Sequence, residues 1–172
     1  MDHATYGVQV LFEEGMIRQF IEEDTWDDVI RTAIAKHSDY ELTGITDERT
    51  LLHARLIRDA DKLDNCRVKL EETMETLLDM DEATVGASPI SEKVWASCLA
   101  GESVLSADRV SGMDYWVSYL ALYFDINFPE TWQIIRENHY IDRIAARVPY
   151  SREDTKEKVA HLVAALHQRM KG

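Results

Sequence analysis

The 172-residue chain carries 32 acidic against 19 basic residues, a net charge of −13, and is 45% hydrophobic and 30% charged. That length supports a real hydrophobic core, and that composition excludes a disordered chain. The charge excludes phosphate backbones and anionic membrane surfaces as partners unless a local basic patch overrides it, and no run of Lys and Arg along the chain supplies one.

With 7 Gly and 3 Pro the chain has little loop punctuation, and its apolar spacing is helical nearly everywhere, with no sustained alternation of a half-buried strand. An all-α fold is expected. The spacing predicts helices over 2–14, 16–22, 25–39, 47–64 continuing to about 79, 91–100, 111–124, 129–147 and 152–170. Thr25 with Asp28 and Ser151 with Asp154 resemble capping boxes, Thr46 can cap the helix after Gly44, and Pro129 suits a first helical turn. The stretch MDEATVGASPIS (80–91) reads as the main loop, and no linker divides the chain, so one domain over 1–172 is expected.

Cys66 and Cys98 have neither a disulfide framework nor a metal-type spacing, which suits a reducing compartment. The apolar run YWVSYLALYF (115–124) is shorter than the roughly 20 residues a bilayer needs. The opening MDHATYG has no signal-peptide pattern, so a cytoplasmic protein with no membrane partner is expected.

Chemistry concentrates in HARLIRDADKLDN (53–65). On a wheel with Leu52 at the origin, Asp64 and Asp61 fall at about 120° and 180°, inside the apolar arc, while Arg58, Lys62 and Asn65 fall on the polar side and Asp59 at its edge. Burying an ionised carboxylate costs several kcal/mol, so a metal, an ion pair or a wet cleft must compensate. His37 projects from the apolar stripe of Trp26, Val29, Ile30, Ala33 and Ile34, and His3 shares a face with Gly7, Val10 and Leu11. Each polar group alone reads first as a satisfied core residue, an Asp paired with Arg or backbone N–H groups or a hydrogen-bonded His, and only second as a metal ligand. Imidazole and carboxylate converging from three helices is the donor mix that hard or borderline divalent metals take. His53 reads as structural, and His139, His161 and His167 as surface or capping residues.

AIAKHSDYEL followed by HARLIRDADKLDN is similar to the second half of the HD-domain metal-dependent phosphohydrolases, whose helical core closes its ligand set with a D-x-D-[KR]-x-D segment. The resemblance covers residues 1–79, and 91–172 would form a C-terminal helical extension. DYWVSYLALYFDINFPETW (114–132) is also similar to the tail of bacterial members, although an aromatic stripe at helical spacing usually reads as core. The resemblance implies that Asp61 is the closing metal ligand, that His37 and His3 are the histidines serving a second ion, and that Lys62 and Asp64 beside Asp61 assist catalysis. It implies a divalent cofactor (Mn, Fe, Zn or Mg) and a small phosphorylated substrate such as a nucleotide.

The family's name-giving His-Asp pair and a further histidine belong upstream of the position of His3, and no His-Asp dipeptide occurs in this chain. The resemblance therefore implies an HD domain without its first helices, with phosphoester hydrolysis impaired. The alternative is a non-catalytic helical module for oligomerisation or partner binding. Apolar faces left by the absent helices would favour homo-oligomers.

Overall fold

The computed structural model describes residues 3–171, and every regular element among them is helical, with no strand. α1 (His3–Val8) runs into a π-helical turn over Gln9–Glu13, and a 3-10 turn follows at Met16–Gln19. The remaining helices are α2 (Asp27–Lys36), α3 (Glu48–Glu71), α4 (Met74–Leu78), α5 (Glu82–Ala87), α6 (Glu92–Ala100), α7 (Gly112–Ala121), α8 (Pro129–Glu137), α9 (Tyr140–Ala145) and α10 (Glu153–Arg169). Every predicted helical segment contains helix. No helix is long and apolar enough to cross a membrane among the described residues.

The differences lie at the breaks and caps. The helix expected over 47–79 ends at Glu71, and extended Thr73 starts α4 by accepting from the Thr76 amide at 3.1 Å. The stretch expected as loop holds α5, because Asp81 caps it by accepting from the Thr84 amide at 2.8 Å. Gly86 serves close approach there: a Cβ would stand 2.2 Å from the Pro149 carbonyl oxygen. The helix expected over 129–147 breaks at His139, which takes a left-handed φ of 53°. Asp47, and not Thr46, caps α3 by accepting from the Thr50 amide at 2.7 Å. Trp26 and Arg152 hold the N-cap positions of α2 and α10 without side-chain caps, so the pairs at Thr25 and Ser151 are not used. The full capping box is Ser111 with Asp114 on α7.

The contacts of the chain separate it into two compact units, Met1–Asp61 and Lys62–Gly172, with the division inside α3. The second unit holds the hydrophobic core, built on fully buried Trp116, Met113, Leu120, Ile141, Leu162 and Leu166. Asp114, wholly buried, accepts from the amides of Ser91, Val110 and Ser111 at 2.8, 3.0 and 3.2 Å, so its charge is compensated by oriented donors. In the first unit only Ala4, Ile17, Ala33 and Ala54 reach full burial among apolar side chains of described residues.

Candidate metal centre

In the first unit the fold brings together the three residues that the resemblance marks as metal ligands. One ligand atom each of His3, His37 and Asp61 lies within 4.8 Å of the other two. His3 stands at the start of α1, His37 follows the last turn of α2, and Asp61 lies in α3. The two imidazoles meet edge to face with centroids 4.8 Å apart, and their Nε2 atoms approach to 2.8 Å.

The hydrogen bonds define the proton positions. His37 Nδ1 lies 2.7 Å from the Ile34 carbonyl oxygen, an acceptor only, so Nδ1–H donates, and in the neutral ring the Nε2 lone pair then faces the cluster. His3 Nε2–H then donates to that lone pair. A backbone carbonyl orienting the outer imidazole nitrogen is the support that metal-ligating histidines ordinarily have. Ions of this class sit about 2.0–2.2 Å from imidazole nitrogen or carboxylate oxygen, which places tetrahedral ligands roughly 3.4 Å apart. The two Nε2 atoms, 2.8 Å apart, stand closer than that spacing, and all three ligand atoms lie within 4.8 Å of one another. The His₂Asp set fits a divalent ion with open positions for water or substrate.

Arg58 holds His37 in place. Its Nη1 donates to the carbonyl of His37 at 2.9 Å and to that of Asp39, while Nη2 donates to the carbonyl of Tyr40 at 2.8 Å. Three carbonyls at the open end of α2 thus receive one buried guanidinium, which also complements the negative end of the helix dipole. The wheel placed Arg58 on the polar side and gave it no role. Its signal was a long cation next to Asp59 and three residues, about one helical turn, before Asp61.

The wheel assigned α3 the wrong buried face. Ala54, Arg58, Asp59, Lys62, Cys66 and Lys69 are buried, whereas Leu52 and Leu56 are 52% and 53% exposed. Asp61 and Asp64 are accordingly exposed, not inward among apolar residues. The physical reason is that Arg58 and Lys62 satisfy their charges with carbonyls and a carboxylate, so their stems pack as apolar surface. Lys62 Nζ bonds the backbone oxygen and Oδ2 of Asp125, both at 2.7 Å. Asp64 pairs with Arg67 at 3.0 Å on the surface. The two residues expected to assist catalysis are thus held within the second unit by Asp125 and Arg67.

Among the other histidines, His161 packs edge to face on Trp95, and His167 reaches Asp142 at 2.8 Å. His53 lines an apolar groove with Trp26, Val29, Ile30, Leu52 and Ile57. No family model, curated protein or solved structure matches the chain.

Proposed function

We propose that the first unit is a metal-binding hydrolase centre of the HD-phosphohydrolase type, acting on a small phosphorylated metabolite. The convergence of His3, His37 and Asp61 within 4.8 Å carries the reading. A divalent ion held there would polarise a phosphoryl oxygen and lower the pKa of its bound water. The chain's own residues supply the rest: the Ile34 carbonyl keeps the proton on His37 Nδ1, Arg58 fixes the end of α2, and exposed Asp61 leaves the centre open to substrate. Three protein ligands with water in a further position is the catalytic arrangement, whereas structural ions take four. No His-Asp dipeptide occurs among these 172 residues, so turnover by the three ligands alone is expected to be slow.

The test is calorimetric titration of Zn²⁺ and Mn²⁺, followed by hydrolysis of p-nitrophenyl phosphate and of bis-p-nitrophenyl phosphate. Stoichiometric binding that disappears in His37→Ala and in Asp61→Ala supports the reading. Binding that survives both variants, or no binding at all, sinks it. Metal binding without turnover leaves the site and rejects the hydrolase assignment. The second reading, a helical interaction module, is favoured by Leu52, Leu56 and Trp26, which are 52%, 53% and 43% exposed. Concentration-dependent association in sedimentation velocity, abolished by Leu52→Glu with Leu56→Glu, supports it.

A further inference from the structure

A concavity lined wholly by residues of the second unit measures about 800 Å³, inside the range of roughly 300–1,000 Å³ typical of small-molecule sites. Phe124, Phe128 and Trp132 give it an aromatic lining, and Arg136, Arg169 and Lys171 line it with three cations. No acidic side chain lines it among the described residues. In a chain with 32 acidic against 19 basic residues, three cations around one concavity without a carboxylate is a marked local reversal of sign.

Arg136 and Arg169 each stand in the last turn of a helix, α8 and α10, where a cation complements the helix dipole. That accounts for each cation singly but not for their meeting around a shared aromatic hollow. The net charge does not forbid an anion there, because charges beyond the Debye length of about 8 Å at physiological salt are largely screened, and local cations then decide the contact energy. Arginine beside aromatic rings is suited to a ligand that presents a flat π-face at one end and phosphate at the other: the rings accept the face, and the planar guanidinium binds phosphate through paired donors.

We propose that this pocket binds a nucleoside phosphate. The base would lie against Trp132 and Phe128, and the phosphates would be held by Arg136, Arg169 and Lys171. The site is independent of the histidine centre and needs no metal.

The experiment is isothermal titration of the full chain with ADP, adenosine and inorganic phosphate, without divalent cation. ADP is expected to bind saturably and at least tenfold more tightly than either fragment. The double variant Arg136→Ala with Arg169→Ala, both exposed residues whose loss leaves the core intact, is expected to weaken ADP at least tenfold. Trp132→Leu is expected to weaken ADP but not phosphate, with unchanged circular dichroism as the folding check. His37→Ala is expected to leave ADP binding unaltered. The proposal is overturned by no saturable signal at about 10 mM ADP, by equal affinity in the double variant, by phosphate binding as tightly as ADP, or by loss of ADP binding in His37→Ala.

Discussion

Arg58→Ala is expected to loosen the end of α2 and to release His37 from the candidate centre. The guanidinium makes charge-assisted bonds to three carbonyls, those of His37, Asp39 and Tyr40, and such bonds are each worth about 1.5–3 kcal/mol net when the acceptor is otherwise left dry. Here the full sum does not apply. His37 and Asp39 are half-buried and Tyr40 is 41% exposed, so water recovers part of the loss. A local destabilisation of about 2–4 kcal/mol follows, including the packing of the buried stem. Amide hydrogen exchange read by mass spectrometry localises it: peptides covering 27–40 should exchange faster by roughly 30- to 1,000-fold, since about 1.4 kcal/mol is a factor of ten, while α7 and α10 stay protected. Zn²⁺ affinity should fall at least tenfold. Arg58→Lys should recover less than half of either effect, because a point-like ammonium cannot span three acceptors. Unchanged exchange over 27–40 in Arg58→Ala would refute the reasoning, because the three bonds would then contribute nothing to the placement of His37.

Gly86→Ala should destabilise the second unit by about 1–3 kcal/mol, the usual cost of overpacking, because its Cβ would meet backbone at Pro149; a thermal midpoint within a degree of wild type would count against that packing. Asp114→Ala strips the acceptor from three amides and breaks the α7 capping box, so a loss of about 2–4 kcal/mol in urea titration is expected. Burial pushes the thiols of Cys66 and Cys98 up to about 11 and about 12 from their ordinary 9.0, so Ellman's reagent at pH 8 should label neither in the folded protein and both in urea. For the pH dependence the unfolded thiol ionises first, so this contribution is complete below pH 9 and is lost as pH rises through 11 to 12. Alkaline titration should therefore lower stability in that window, and Cys98→Ala should flatten the slope.

Helix was legible wherever the apolar period ran unbroken, as in α6, α7 and α10, because a 3.6-residue stripe has one way to bury itself. The caps were less legible. Thr46 and Asp47 are adjacent candidates, and the one-residue difference in where α3 begins decides which side chain faces the Thr50 amide. Position 139 carries no glycine, so the left-handed break between α8 and α9 left no trace in composition. The grouping of His3, His37 and Asp61 was legible as residue types on three helices. The approach of one atom of each to within 4.8 Å of the other two was not, since it depends on tertiary packing. The basic patch was invisible for a related reason: Arg136, Arg169 and Lys171 are scattered along the chain and gathered by folding.

The misassigned face of α3 exposes what holds the first unit together. A helix wheel assumes that apolar residues win the interior, and that assumption fails when a charged side chain finds enough acceptors to be buried at little cost. Arg58 does so in the first unit, and the apolar stripe at Leu52 and Leu56 stays in solvent. Fully buried Ala4, Ile17, Ala33 and Ala54 are mostly small; at about 0.8 kcal/mol per buried carbon they contribute only several kcal/mol. Ordering each residue costs about 1–2 kcal/mol, so this unit depends on its half-buried contacts and polar grips to a degree that the second does not. An ion that binds His3, His37 and Asp61 in the folded form alone adds RT ln(1 + [L]/Kd), about 2.7 kcal/mol at a hundredfold excess over Kd. Within so thin an apolar interior, that is comparable to the contribution of Arg58, so ligation and the order of α1 and α2 are expected to rise and fall together.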